Sequence, residues 1–242
     1  MCPPDHPSKA TTARQRARIE FTAEIKAVAR RQLAESGAAL SLRAVARELG
    51  LGSVSALYRY FPSRDALLTA LILDGYASLG DAAEAAHAAP DTDRADALER
   101  WVGICHAVRD WALAHPHEYA LIYGSPLHGY AAARDTVTQA ARVPSLIGAL
   151  FTGLPGRDDR PGATRPVIPD DARQSLAPLL TGLPRDTPDD LVMGSLMAWT
   201  YLFGAISFEV FGHRRDIIAD PRAFFDHEAR RLGSALGLAT RR

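Results

Sequence analysis

The sequence predicts an all-α protein: a small N-terminal three-helix unit holding a helix-turn-helix, then a larger helical body. Three observations lead there. Apolar residues recur at helical spacing almost everywhere, and no run alternates as a half-buried strand does. Pro62, Pro116, Pro188 and Pro221 stand where helices would stop or begin. A chain of 242 residues, 47% of them apolar, can bury a core in one large domain or two modest ones.

The elements follow in order. Residues 1–14 read as a flexible arm. Ile25, Val28, Ala29 and Leu33 predict a first helix over about 15–36, ended by Gly37. Leu42, Val45, Ala46 and Leu49 predict a short second helix, with Ser41 at its cap and Gly50 ending it in a left-handed conformation. After a connection of about three residues comes a third helix, roughly Ser53 to Tyr60, stopped by Pro62. Ser63 caps a fourth, running to about residue 88. Helical stretches near 93–114, 116–124 and 134–153 come next. Residues 155–169 hold four prolines and two glycines and read as a loop. A shorter piece near 171–182 precedes two long helices, about 188–211 and 221–237.

The chain has 28 basic and 28 acidic residues, but they are unevenly placed. Residues 1–64 carry eleven Lys/Arg and five Asp/Glu, and residues 65–242 carry seventeen and twenty-three. A basic head on a mildly acidic body points to a nucleic-acid-facing segment. Residues 41–61, SLRAVARELGLGSVSALYRYF, supply the rest: two short helices joined by a glycine turn form a helix-turn-helix, whose second helix enters the major groove of DNA. The third helix is polar where a core helix would be apolar, offering Ser53, Ser55, Tyr58, Arg59 and Tyr60 with small Ala56. Arg43 and Arg47 lie four apart on the second helix, with Arg30, Arg31 and Arg64 nearby to neutralise phosphates.

Residues 42–68, LRAVARELGLGSVSALYRYFPSRDALL, resemble the signature of the tetracycline-repressor (TetR) family of bacterial transcriptional regulators. The likeness lies in the second helix ending in Gly, the Tyr58/Phe61 pattern, the basic Arg64 and the Leu pair opening helix four. Between Gly50 and Phe61 there is one residue more than the usual pattern. Residues 199–204 resemble the Trp-x-x-x-His-Gly element of one C-terminal subgroup, with Phe203 in the His position. The resemblance implies an N-terminal DNA-binding domain over 15–64 and a helical ligand-binding and dimerisation domain over 65–242. It implies phosphate contacts from Ser41, Tyr58, Tyr60 and Arg64, and base-edge contacts from Ser53, Ser55, Ala56 and Arg59; Arg43 is a further DNA-binding candidate by its charge. Arg14, Arg16 and Arg18 are open either as minor-groove contacts or as a solvated helix face.

Family members are homodimers, and one helix-turn-helix contacts too little DNA to be specific; two, spaced by one DNA turn of roughly 34–36 Å, read a pseudo-palindrome. The expected interface comes from the last two long helices: Val192, Leu196, Phe208, Phe211, Phe224, Phe225, Leu232 and Leu236, with Gly194, Ala198 and Ala205 permitting close approach. An intramolecular core would use the same residues. The aromatic-rich body suits a small-molecule effector, with Trp111, Tyr123, Trp199 and Phe203 as candidate pocket residues.

Other functions are weakly supported. Cys105, His106, His115, His117 and His128 cluster in sequence, but their spacing does not require convergence, so no metal is expected. No phosphate loop, nucleophile elbow or carboxylate pair is visible, so no catalytic residue and no cofactor is expected. Residues 191–208 are uncharged but diluted by glycines and hydroxyls, and read as a buried helix instead of a membrane span. With no signal peptide and two cysteines, a cytoplasmic location is expected. The expected function is a dimeric, ligand-responsive DNA-binding regulator acting as a repressor. The competing reading is a helical small-molecule sensor with a degenerate DNA-binding head.

Overall fold

The computed structural model describes residues 12–36, 40–88, 97–125, 130, 136–152, 168–177 and 187–238. Cys2, His128, most of the 1–14 arm and most of the 155–169 loop lie outside them. Among the described residues every regular element is a helix. They are α1 (Ala13–Ser36), α2 (Leu42–Glu48), α3 (Ser55–Tyr58), α4 (Arg64–His87), α5 (Ala97–Ala114), α6 (Pro116–Tyr123), α7 (Thr136–Ala140), α8 (Arg142–Thr152), α9 (Asp170–Ser175), α10 (Asp189–Val210) and α11 (Pro221–Ala235).

The chain divides into two compact units. The first comprises residues 1–72 and 126–132. Its helices form because each presents an apolar stripe to the others: Ile25, Val28, Ala29 and Leu33 from α1, Leu42, Val45 and Ala46 from α2, Leu57 from α3 and Leu67, Leu68, Leu71 and Ile72 from α4 are all buried. Gly50 ends α2 at φ +67°; its N–H bonds the Arg47 carbonyl and the Leu51 N–H the Ala46 carbonyl. That is a Schellman ending, and glycine adopts its left-handed angle without a Cβ penalty. The Ser63 hydroxyl accepts from the Ala66 N–H at 3.0 Å and starts α4.

Two local expectations change. Ser41 stands at the N-cap position of α2, but its side chain makes no capping bond. The third helix is four residues long, Ser55–Tyr58, and begins after a six-residue connection, 49–54. Left-handed Gly50 and the flexible Gly52 keep that stretch out of the helix, so Ser53 lies in the turn.

The second unit comprises residues 73–125 and 133–242. α10 packs against α8 and α11 against α5, around a core of Trp101, Ile104, Tyr119, Ile147, Phe151, Leu202, Ile206 and Phe225. The α5–α11 contact is close: the Trp101 Nε1 donates to the Ala229 carbonyl at 2.9 Å, and Gly233 leaves room for the indole. Arg142, at the start of α8, donates to the Ala77 carbonyl and to the carboxylates of Asp81 and Glu84 on α4, with its guanidinium against Gly80. By length and composition alone α4 and α10 could each cross a membrane; in α10, Leu191, Ala198, Leu202, Phe203, Ala205 and Ile206 are buried in the core of their own unit.

Candidate nucleic-acid interface and effector site

The helix-turn-helix presents its polar side chains outward. On α3 only Leu57 is buried; Ser55 and Tyr58 are exposed, as are the flanking Ser53 and Arg59, and Ala56 is half-buried. Ser41 and Arg43 are exposed at the start of α2. The side chains of Arg43, Arg47 and Arg59 have no hydrogen-bond or ion-pair partner among the described residues. Arg31, by contrast, is engaged by Glu48 at 2.7 Å, and it holds that carboxyl below its ordinary range. The local charge is thus left uncompensated on α2 and α3, where a polyanion would meet it.

Two expected contacts have internal partners. The Arg64 Nε donates to the Leu40 carbonyl at 3.0 Å, tying the start of α4 to the start of α2. The Tyr60 ring is half-buried, with the edge of Phe21 at 5.1 Å between centroids and the Arg18 guanidinium 5.4 Å over its face. Sequence reasoning missed that brace because Arg18 and Phe21 lie some forty residues before Tyr60.

In the second unit three of the four candidate pocket residues come together. Tyr123 stacks on Phe203 at 4.1 Å, and Trp199 meets Phe203 edge-on at 6.5 Å. The Trp199 Nε1 is buried without a hydrogen-bond partner among the described residues. Trp111 goes elsewhere: its Nε1 donates to the Ser78 hydroxyl at 2.9 Å and its ring stacks on His115. Tyr76 and Tyr119 complete the cluster. The Tyr119 hydroxyl donates to the Phe203 carbonyl at 3.0 Å and lies 2.8 Å from the Ser207 hydroxyl. Burial pushes the Tyr119 phenol up to about 12 and the Tyr123 phenol well above its ordinary range, so both are neutral at physiological pH. The i, i+4 spacing of Tyr119 and Tyr123 is the signal that could have found the pair. A separate cavity of about 170 Å³ lies at the α10–α11 connection, lined in part by Glu209, Arg215, Phe224 and Phe225.

The two long C-terminal helices divide their expected interface residues. Phe208, Phe211 and Phe224 are exposed, at 52%, 43% and 40%. Val192 and Phe225 are buried inside their own unit, and Leu196, Leu232 and Leu236 are half-buried. Phe225 belongs to the core because α11 turns that side to α5, where His106 and Arg109 approach its ring. Gly194, Ala198 and Ala205 are buried too, Gly194 against Phe151, and the small residue that faces outward is Gly204. Met193, Met197, Thr200, Gly204, Phe208 and Phe211 fall at helical spacing along the outer side of α10.

Of the metal-ligand candidates, the His106 Nε2 lies 2.9 Å from the Asp226 carboxylate, the His115 Nδ1 2.9 Å from the Trp111 carbonyl, and Cys105 is buried with its thiol pushed up by desolvation. Among the described residues no three such groups converge.

A short outward helix behind a glycine turn, free cations around it and a separate helical unit define a helix-turn-helix DNA-binding regulator. Residues 25–71 match the family model of the bacterial regulatory proteins of the tetR family, and residues 101–232 match that of the tetracyclin repressor-like C-terminal domain. The chain belongs to the TetR family of transcriptional regulators. HTH-type transcriptional regulators of Mycobacterium bovis and Mycobacterium tuberculosis are each 39% identical over 229 residues, spanning 92% of this chain and 95% of theirs. The solved regulatory protein SCO4313 is 35% identical, with a TM-score of 0.70 over 91% of this chain and 98% of its own. A protein from Rhodococcus sp. RHA1 shares the fold at 22% identity and a TM-score of 0.63, over 96% of this chain and 98% of its own.

Proposed function

We propose that this regulator works as a homodimeric repressor that holds a pseudo-palindromic operator and releases it when a small molecule binds the second unit. The observation that carries the DNA side is the group of partnerless arginines, Arg43, Arg47 and Arg59, around a helix whose one buried residue is Leu57. Ser41, Arg43 and Tyr58 serve phosphates. Ser53, Ser55, Ala56 and Arg59 face base edges, where Arg59 can bond guanine bidentately and Ala56 can touch a thymine methyl. Tyr60 and Arg64 act from behind, through the protein contacts they already make, and reach phosphate from there.

The effector site is the aromatic cluster of Tyr123, Phe203 and Trp199, with Tyr119 and Tyr76 beside it. Its polar groups are neutral hydroxyls and an indole N–H that lacks an acceptor, which suits an uncharged, largely apolar ligand with one acceptor atom. Such a ligand weakens operator binding only as far as it prefers the DNA-incompetent state.

Selection of duplexes from a randomised library tests the proposal. The expected result is a two-fold symmetric sequence, bound specifically at about 150 mM salt, where non-specific phosphate binding has largely collapsed. A screen of uncharged aromatic compounds against that duplex should find one that lowers affinity tenfold or more. Selection that enriches no sequence would instead favour a small-molecule sensor with a degenerate DNA head, a reading that the six-residue turn before α3 would explain.

A further inference from the structure

A four-residue helix cannot sustain itself, because the nucleation penalty exceeds what so few backbone bonds return. α3 closes with short-range bonds alone: Leu57 N–H to the Val54 carbonyl, and the Tyr60 and Phe61 N–H groups to the Leu57 carbonyl. Its attitude must therefore be set from outside. Leu57 and Phe61 anchor one side in the core, at 0% and 7% exposure. The two anchors bracket Arg59, which is exposed, and Tyr60, which is half-buried, and leave the outer side of that segment without a hold of its own; that side determines where Arg59 points.

The first helix supplies the missing hold. Arg18 lies on the exposed side of α1, with its guanidinium 5.4 Å over the Tyr60 ring and its Nη2 directed at the Arg59 carbonyl at a long 3.5 Å. Phe21, one turn further on, meets Tyr60 edge to face at 5.1 Å and 63°. A cation at the last carbonyls of a helix is favourable by charge and by hydrogen bonding. Cation and aromatic edge together grip Tyr60 from two directions.

We propose that Arg18 is a positioning residue for DNA recognition: with Phe21 it clamps Tyr60 and the Arg59 carbonyl, holding the recognition helix at the attitude in which Arg59 reads a base. Its exposed guanidinium is turned to the Tyr60 ring and the Arg59 carbonyl, so the proposed role is to hold the helix and not to bind phosphate. The two roles differ in salt dependence. Each phosphate contact contributes a slope of about 0.9 to the fall of log affinity with log salt, whereas a brace contributes none.

The probe is the duplex that the wild-type protein selects from a randomised library, and the free protein serves for a second reading. Arg18→Ala should weaken binding roughly two- to tenfold, the scale of an exposed cation–π contact and a long hydrogen bond combined, with the salt slope unchanged. Arg18→Lys, which keeps a cation over the ring, should recover most of that affinity, and Phe21→Leu should mimic Arg18→Ala in direction. Without DNA, the Tyr60 and Phe61 amides should exchange faster in Arg18→Ala and return towards wild type in Arg18→Lys. A slope lowered by about 1.8, about 0.9 for each protomer of the dimer, with amide exchange unchanged would make Arg18 a phosphate ligand and overturn the proposal. Unchanged affinity and unchanged exchange in Arg18→Ala would overturn it as well.

Discussion

At the scale of single residues, the side chains proposed to face DNA differ in what they have left to give. Arg43 is exposed and without a partner among the described residues, while Arg64 is bonded to the Leu40 carbonyl. Arg43→Ala should weaken binding to all duplexes alike and lower the salt slope by about 1.8, about 0.9 from each protomer of the dimer, with no loss of folded stability. Arg59→Ala should relax preference at one base position, where a bidentate contact is worth about 1–3 kcal/mol. Equilibrium binding of both variants against the selected duplex and its single-base changes, at three or more salt concentrations, separates these outcomes; an unrelaxed base profile in Arg59→Ala removes Arg59 from readout. The outward placement of Ser53, Ser55, Tyr58 and Arg59 was legible in the sequence, because polar side chains around a single apolar Leu57 leave only one side for the core. What was not legible was which polar groups the protein keeps for itself. The partners of Tyr60 and Arg64 are Phe21, Arg18 and the Leu40 carbonyl, and no local spacing connects them.

At the scale of elements, helical periodicity located the helices well, since an apolar stripe is a local property. It could not assign the faces of α10, which is apolar on more than one side, or tell the two adjacent phenylalanines of α11 apart. Phe225 and Phe224 are adjacent in sequence, yet one is 2% exposed and the other 40%. The difference comes from α5, against which α11 is seated unusually close. A Cβ built on Gly233 would lie 2.7 Å from the Leu98 Cδ1 and 2.7 Å from the Trp101 Cδ1. Leu98 can rotate away, but Trp101 is fully buried and its indole N–H is fixed on the Ala229 carbonyl. In an open helix, Gly→Ala would stabilise by about 1 kcal/mol. Here overpacking at a rigid ring costs about 1–3 kcal/mol and wins. Gly233→Ala should therefore lower the melting temperature by roughly 2–6 °C in thermal denaturation followed by circular dichroism, and a rise would mean that α5 and α11 have room to part.

At the scale of the whole molecule, the outer side of α10 decides whether one copy suffices. Met197 and Phe208 are each 52% exposed, Phe211 is 43% exposed, and the half-buried Met193 continues their line. A line of exposed apolar side chains of this kind marks a contact surface. Its centre is Gly204, where a Cβ would meet nothing within 4 Å among the described residues. Inside the monomer that glycine is a pure cost, because it loosens a helix and fills no tight space. A second α10 crossing at that point would explain it, since only a small residue lets two helix backbones approach closely. Gly204→Leu separates the two accounts. If the stripe pairs with its twin, the variant should keep or raise its helix content and yet sediment at the monomer mass of 26.1 kDa where wild type sediments at about twice that. Operator affinity should fall with it, because a lone head engages a half-site. A Gly204→Leu protein that remained dimeric would place the interface elsewhere and leave the apolar side of α10 to another partner.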